Sequence, residues 1–269
     1  MGRQYITPGI DMGRGSAPMV QQIQEVHVKK IGILGGMSAA STQIYYQTLC
    51  SLTQSELGGL HSPNLLIRSV DFAPLALHMN DGNWSAIGDT LHAEAKLLAA
   101  GGAELIVLAT NTMHKLKDQI MQGIDLPFIH IAEATATAVL AGGSKRPAFF
   151  ATKFTMQEAF YPDILRDNGL DPIVPNTTEQ DVINDIIFDE LCKNIATPES
   201  EAVYLDILNR LKAQGADSVI LGCTEICLLL NAQNTGVPVY DTTQIHCQAA
   251  LRAALDWRSI YSHSIVSSC

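Results

Sequence analysis

The chain has 269 residues, of which 47% are hydrophobic and 16% are charged, so it can bury the core of one large domain or of two smaller ones. Its formal net charge is -10 and its isoelectric point is about 5.1. An acidic chain repels phosphates, which argues against a nucleic-acid binder and against a protein of anionic membrane surfaces. A small metabolite is therefore the expected partner.

The sequence shows neither a membrane span nor a secretory signal, because no apolar run is long enough and the first residues lack the charged-then-apolar order. A cytoplasmic protein with mostly reduced cysteines is expected. Cys223 and Cys227 stand four residues apart, but no comparable His/Cys cluster completes a metal site, so no metal is expected. The six cysteines are Cys50, Cys192, Cys223, Cys227, Cys247 and Cys269.

Residues 1–28 carry no sustained apolar period and are predicted to form a loose N-terminal extension. After them, strand signals alternate with helical stretches, of which residues 89–100 and 199–214 are the clearest. Thr197 and Pro198 are the predicted cap and first-turn proline of the second helix. The predicted strands are residues 30–34, 64–70, 105–109, 127–131, 148–151, 218–221 and 238–240.

This alternation predicts an α/β fold with mainly parallel sheets and helices on their faces. Residues 102–112 align without a gap on residues 215–225, so we expect two pseudo-symmetric, doubly wound domains. The first domain is expected to comprise residues 29–130 plus 236–269, and the second residues 131–235. Because ligands of such sheets bind at the carboxyl ends of the strands, the active site is expected in the cleft between the domains.

The internal repeat places Thr110 opposite Cys223, at the end of the strand in each copy. A cysteine at a strand-to-helix junction can have its thiolate stabilised by helix-terminal N–H groups, which makes it a usable base or nucleophile. Asn111, Thr112 and Thr224 are candidate ligands of a carboxylate. The alternative for Cys223 is a small buried side chain that follows an apolar strand.

Two further residues follow these strand ends. His114 is placed to turn back toward the cleft, and Glu225 is a candidate for orienting a group or assisting a proton transfer. The alternative is that His114 has a structural role and forms hydrogen bonds within the fold.

Near the start of the fold, residues 32–38 form a strand that enters a Gly-Gly turn. Such a turn lets backbone N–H groups at Gly36 and Met37 approach a carboxylate or phosphate closely. The segment lacks the spacing of a nucleotide-binding fingerprint. The alternative is a tight strand-helix turn without a ligand.

Polar residues also follow two other predicted strands. Arg68 is a candidate for binding a carboxylate through both guanidinium nitrogens, with Asp71 close behind it; the alternative is an arginine exposed on an edge strand. Thr152, Lys153 and Thr155 follow the strand at residues 148–151 and are candidates for an anion pocket. Threonines at strand ends are also common in ordinary loops.

Together these segments resemble the aspartate/glutamate racemase family, including its broad-specificity bacterial amino-acid racemases. The resemblance covers nearly everything after residue 28 and is carried by IGILGGM at 31–37, SVDF at 69–72, TNTMH at 110–114 and LGCTE at 221–225. It implies a pseudo-symmetric pair of α/β domains, a homodimer, no cofactor, and a small acidic amino acid as substrate. It also implies paired cysteines that remove a proton from one face of Cα and return one to the other.

In this chain the first of these cysteine positions holds Thr110, whose hydroxyl ionises far less readily than a thiol. The resemblance assigns Cys223 to the L-isomer, so we expect Cys223 to deprotonate L-aspartate or L-glutamate and Thr110 to be a weak proton donor on the other face. An L-preferring enzyme follows, with Arg68 as the partner of the side-chain carboxylate. The alternatives are a one-thiol decarboxylase or isomerase of the same scaffold and a non-catalytic protein that binds an acidic amino acid.

Overall fold

The computed structural model describes residues 28–193 and 195–255, which form two parallel sheets surrounded by helices. The first sheet has the strand order β2-β1-β3-β4 and the second has the order β5-β6-β7. The strands are β1 Ile31–Gly35, β2 Leu65–Ser69, β3 Leu105–Leu108, β4 Phe128–Ile129, β5 Pro147–Phe150, β6 Ser218–Leu221 and β7 Val239–Asp241.

Helices follow almost every strand, as parallel pairing requires. They are α1 Ala39–Leu57, α2 Phe72–Asn80, α3 Trp84–Ala100, α4 Lys117–Ile120, α5 Ile131–Ala141, α6 Lys153–Gln157, α7 Phe160–Asp167, α8 Thr177–Asp189, α9 Pro198–Ala213, α10 Ala232–Thr235 and α11 Thr242–Ala254. Short 3₁₀ helices span Thr112–Leu116, Leu191–Lys193 and Thr224–Leu228. Among the helices of the described residues, none is both long and apolar enough to cross a bilayer.

The predicted α/β class with parallel sheets is confirmed, since every pair of adjacent strands is parallel. Helix α9 begins as predicted, with Thr197 accepting a hydrogen bond from the backbone of Ser200 and Pro198 in the first turn. Helix α3 begins five residues earlier than predicted, because Asn83 caps it by accepting from the backbone of Ala86.

The carboxyl-terminal part of the chain belongs to both halves. Strand β7 pairs with β6 and so lies in the second sheet, whereas the expected boundary at residue 236 assigned it to the first domain. Helix α11 then packs against α1 of the first half and α5. The expected extension at residues 1–28 lies outside the described residues except for Val28, which forms an isolated bridge with Leu255.

Four fully buried strands carry the core. Strands β1, β3, β5 and β6 are buried along their whole length, as is typical of parallel strands covered by helices on both faces. Strand β2 lies at the edge of its sheet, and its last three residues are exposed. The carboxyl ends of β3 and β6 are therefore held by rigid, buried strands.

Candidate active site

The structure brings Thr110 and Cys223 together in one cavity, each two residues beyond the end of its strand. The cavity is lined by residues from both halves of the chain, as is typical of small-molecule sites between two domains. Its polar lining residues, apart from these two, are Ser38, Ser41, Tyr45, Asn111, Thr112, Thr152, Thr224, Glu225 and Thr243. Its other lining residues are Met37, Phe72, Met79, Met113, Phe154, Ile187, Phe188, Cys192 and Gly222.

The thiol of Cys223 donates a hydrogen bond to Oε2 of Glu225 at 3.0 Å. The same oxygen accepts from the Thr224 hydroxyl at 2.5 Å, and Oε1 accepts from the Ser38 hydroxyl at 3.3 Å. Only 8% of Glu225 is exposed. The carboxylate thus lies buried beside the thiol and is held by hydroxyls from both halves of the chain.

Burial raises the pKa of the Cys223 thiol well above its ordinary value, and the negative charge of Glu225 raises it further. A hydrogen bond from the backbone N–H of Glu225 acts in the opposite direction but is outweighed. The expectation that helix-terminal N–H groups alone would favour the thiolate is therefore too simple. Only a short 3₁₀ helix of five residues follows Cys223, and its second residue is an acid.

The backbone at Thr110 is held from behind the cavity by His114. Nδ1 of His114 donates to the carbonyl oxygen of Thr110, with 2.7 Å between the two atoms. The His114 ring is buried and packs against His130 and His246, with ring centroids 4.8 and 5.4 Å away. Burial lowers the pKa of His114 well below its ordinary value, so the ring is neutral at neutral pH. His114 is not among the lining residues.

Asn111 connects the two strand ends. Its side-chain nitrogen donates to the Thr242 hydroxyl at 3.3 Å, and that hydroxyl donates to the carbonyl oxygen of Leu221 at 2.8 Å. Oδ1 of Asn111 is buried and has no hydrogen-bond partner among the described residues. Because Asn111 lines the cavity, this oxygen is a candidate acceptor for a ligand N–H.

Three threonine hydroxyls join the halves at the side of the cavity. Oγ1 of Thr112 lies 3.0 Å from that of Thr155 and 3.4 Å from that of Thr152, and the last two are 3.0 Å apart. Thr112 and Thr152 line the cavity, whereas Thr155 is fully buried and does not. Of the predicted anion pocket of Thr152, Lys153 and Thr155, Thr152 alone lines the cavity, where its hydroxyl lies beside that of Thr112.

Several predicted site residues lie outside the cavity. Arg68 is on the edge strand β2, where its guanidinium pairs with Glu94 at 2.5 Å, and 47% of its side chain is exposed. Lys153 pairs with Asp181 at 2.5 Å. Neither Arg68 nor Lys153 therefore lines the cavity, because each side chain forms its ion pair outside it.

Asp71 and Gly36 have local structural tasks. The Asp71 carboxylate caps α2 by accepting from the backbone of Ala73. Gly36 has φ +97°, and a Cβ there would collide with the backbone of Val70. The glycine thus permits contact between the ends of β1 and β2, and its neighbour Met37 lines the cavity.

Sequence reasoning missed Ser38, Cys192 and the apolar wall. Ser38 had a readable signal, since it follows the Gly-Gly turn and caps α1 by accepting from the backbone of Ser41. Cys192 and Phe188 had none, because they reach the cavity only through the packing of α8 and the 3₁₀ turn after it. Within residues 28–193 and 195–255, no group of three His, Cys, Asp or Glu side chains is arranged to hold a metal ion.

Comparison with known proteins gives a consistent result. The chain is 40% identical to a proposed Asp/Glu racemase from Yersinia pestis, whose structure superimposes with a TM-score of 0.80 and covers 84% of this chain and 99% of that one. An aspartate racemase homologue from Pyrococcus horikoshii OT3 is 33% identical, with a TM-score of 0.75 and the same coverage. The broad specificity amino-acid racemase RacX of Bacillus subtilis is 23% identical over 239 residues, which are 85% of this chain and all of the relative.

The family model described as Asp/Glu/Hydantoin racemase matches residues 34–250. This range contains both sheets after the first strand and the whole cavity described above. The chain therefore belongs to the Asp/Glu/hydantoin racemase family, a family of isomerases.

Proposed function

We propose that the protein is a cofactor-independent amino-acid racemase in which Cys223 and Thr110 act on opposite faces of the substrate Cα. The observation that carries this proposal is the meeting of Thr110 and Cys223, equivalent residues of the internal repeat, in one cavity. Racemisation needs a proton removed from one face and another delivered to the opposite face. Two strand ends that line one cavity from different halves of the chain are suited to that geometry.

The cavity offers groups for the two fixed ends of an α-amino acid. The buried Oδ1 of Asn111 suits the ammonium group, because it is an acceptor that otherwise lacks a partner. The hydroxyls of Thr112, Thr152 and Thr224 suit the α-carboxylate. Donors aimed at this carboxylate also stabilise the negative charge that develops when Cα loses its proton.

Glu225 can accept the proton of the buried Cys223 thiol and so generate the thiolate. The pair of Cys223 and Glu225 holds one negative charge whether the shared proton is on sulfur or on oxygen, so transfer along the 3.0 Å hydrogen bond creates the thiolate without adding charge. The thiolate then removes the Cα proton of the L-isomer. Glu225 later returns its proton to solvent, which restores the starting state.

On the opposite face, the Thr110 hydroxyl or a water that it binds delivers a proton to Cα and is reprotonated by solvent. A threonine hydroxyl can deliver a proton in this step, but as a base it removes the Cα proton of the D-isomer only slowly, because the alkoxide is rarely formed. We therefore propose an enzyme that prefers the L-isomer in Cα hydrogen exchange, whereas net conversion is equally efficient from either isomer because the two enantiomers have equal free energy. Arg68 was the expected partner of an acidic substrate side chain. It pairs with Glu94 outside the cavity, so it does not support the choice of an acidic substrate.

The test is Cα hydrogen exchange in deuterated solvent, followed by mass spectrometry and chiral chromatography. Purified protein is incubated with L- and D-isomers of an amino-acid panel that includes aspartate, glutamate, methionine and leucine. The proposal predicts faster deuterium uptake by the L-isomer than by the D-isomer of the same amino acid. Equal or faster uptake by the D-isomer would refute the L-preference, and absence of uptake by every isomer would refute the racemase.

A further inference from the structure

Two buried polar atoms in the lining of the cavity have no hydrogen-bond partner among the described residues. They are Oδ1 of Asn111, a residue that is 8% exposed, and the hydroxyl oxygen of Thr243, a residue that is 2% exposed. Thr53 and His114 also carry such an atom, but neither lines the cavity. Because folded proteins pair nearly all of their buried polar groups, the two lining atoms are candidates for contact with a ligand.

Asn111 and Thr243 are joined through the first turn of α11. The amide nitrogen of Asn111 donates to the hydroxyl of Thr242, the residue before Thr243. The turn is fixed by Asp241, whose Oδ1 accepts from the backbone N–H groups of Thr243 at 2.8 Å and of Gln244 at 3.1 Å. The two unpartnered atoms therefore belong to one junction, between the end of β3 and the start of α11.

Thr242 determines which end of the Asn111 amide is left free. The carbonyl oxygen of Leu221 can only accept, so the Thr242 hydroxyl donates its single hydrogen to that oxygen at 2.8 Å. The oxygen of the same hydroxyl is then limited to accepting, and the Asn111 atom that lies 3.3 Å from it must be the nitrogen. The free end of the amide is thus Oδ1, an acceptor, which suits an N–H group of a ligand and repels a carboxylate oxygen.

Thr243 supplies a second acceptor at this junction. Its backbone N–H donates to Asp241, whereas its hydroxyl has no partner in the part of the chain that the structure describes. An ammonium group has three N–H donors and can satisfy Asn111 and Thr243 together, but a ligand hydroxyl has one hydrogen and can satisfy only one acceptor. The carboxylate of Glu225, which lines the same cavity, also favours a cation over a neutral group.

We infer that Asn111 and Thr243 together form the amine site of the cavity and select α-amino acids over 2-hydroxy acids of the same carbon skeleton. Thr242 is a positioning residue, since it orients the Asn111 amide without lining the cavity. The inference rests on the proposed function for the presence of an α-amino acid. It adds Thr243 and Thr242 to the residues that recognise this substrate, whatever side chain the substrate carries.

The first experiment compares the binding of amino acids with that of their hydroxy analogues, by calorimetric titration of the full chain. The matched pairs are L-aspartate with L-malate, L-glutamate with L-2-hydroxyglutarate, and L-leucine with L-2-hydroxyisocaproate. In the pair whose amino acid binds most tightly, the amino acid should bind at least tenfold more tightly than the hydroxy acid, as expected for hydrogen bonds from a charged donor. Equal or tighter binding of the hydroxy acid would overturn the inference, as would absence of binding by all three amino acids.

Substitutions at Thr243 test the contact with the amine. Thr243→Val removes the hydroxyl at nearly constant volume and should lower the ratio of amino-acid to hydroxy-acid affinity at least fivefold, whereas Thr243→Ser should retain the wild-type ratio. Thr53→Val is the matched control, because Thr53 also has a buried hydroxyl without a partner but lies outside the cavity. Its ratio should not change. Equal weakening of both ligands by Thr243→Val, or no weakening of either, would show that this hydroxyl does not contact the amine.

Substitutions at Thr242 test the positioning role. Without the Thr242 hydroxyl the Asn111 amide can turn and present its nitrogen to the cavity, so Thr242→Val should lower the same affinity ratio at least threefold. Thr242→Ser should restore the ratio. A lower free energy of unfolding in Thr242→Val, measured by urea denaturation, together with an unchanged affinity ratio would reduce Thr242 to a structural residue and overturn this part of the inference.

Cα hydrogen exchange separates the amine site from the proposed function. If the amino acid binds selectively but exchanges no Cα hydrogen, the racemase proposal fails and the amine site stands. If the L-amino acid exchanges while its hydroxy analogue binds as tightly, the racemase proposal stands and the amine site fails. We expect selective binding and exchange together, with both weakened by Thr243→Val and neither by Thr53→Val.

Discussion

The Cys223 thiol and the Glu225 carboxylate are hydrogen-bonded to each other at 3.0 Å inside the cavity. Two acidic groups so close share one proton more readily than they carry two charges, because a second negative charge would lie in a poorly solvated place. The base of the proposed reaction is therefore the pair, and its proton can be on either atom. This relationship determines what mutation of either partner should do.

Glu225→Gln should lower the rate of Cα exchange about 100-fold, the usual effect of losing a general acid or base. The same substitution removes a negative charge beside the thiol, so the pKa of Cys223 should fall. Alkylation by iodoacetamide, followed at Cys223 by peptide mass spectrometry across pH, measures the second effect. Glu94→Gln is the control, since Glu94 pairs with Arg68 at the surface. A faster exchange rate in Glu225→Gln would contradict the shared-proton role.

Thr110→Cys should raise Cα exchange of the D-isomer at least tenfold, because a thiol ionises far more readily than a hydroxyl. Cys223→Ala should reduce exchange of the L-isomer about 1,000-fold, within the range attributed to a proton-transfer group. Cys227→Ala is the matched control, because Cys227 is four residues away and does not line the cavity. Unchanged D-isomer exchange in Thr110→Cys would show that the first strand end does not face Cα.

Arg68→Ala should leave kcat/KM unchanged for every amino acid of the panel. The guanidinium pairs with Glu94 on the edge strand and does not reach the cavity. Loss of such an exposed pair should change the free energy of unfolding very little, because solvent screens the interaction. Glu94→Ala should have the same small effect, measured by urea denaturation. A rise in KM confined to aspartate and glutamate would restore Arg68 as a side-chain ligand.

Lowering the pH from 6.5 to 4 should reduce the free energy of unfolding through the buried histidines. Burial lowers the pKa of His130 and of His246 from 6.5 to about 4, so over this interval the unfolded chain binds protons that the folded chain does not. The linkage amounts to about 3 kcal/mol per histidine at pH 4. Urea denaturation across pH should show a flatter dependence for His246→Gln than for the wild type.

The sequence was sufficient for the central features of the fold and for the pairing of the two strand ends. The apolar runs at β1, β3, β5 and β6 are continuous because those strands are buried on both faces, and continuous runs are easily read. The gapless repeat predicted that Thr110 and Cys223 belong together because each follows a strand in the middle of its half. The same repeat contains no information on which other side chains face them.

The other features of the site depend on side-chain directions and helix packing, which the sequence alone does not specify. Arg68 looked suitable because it follows an apolar strand, yet an edge strand turns its polar residues to solvent. Phe188 and Ile187 read as ordinary helix residues, and only the packing of α8 brings them to the cavity. The place of β7 was missed for a related reason, since a three-residue strand carries no signal of which sheet it joins.

The two positions proposed for proton transfer are connected through Thr242, a residue that does not line the cavity. The Thr242 hydroxyl accepts a hydrogen bond from the side chain of Asn111 and donates one to the carbonyl oxygen of Leu221. It thus links the ends of strands β3 and β6. In the proposed reaction both proton transfers use the same carbon, and proton transfer tolerates only small errors in distance. A chain that kept Thr110 and Cys223 but lost the hydroxyl of Thr242 should therefore be slower in Cα exchange, because the hydrogen-bonded link between the two strand ends would be missing.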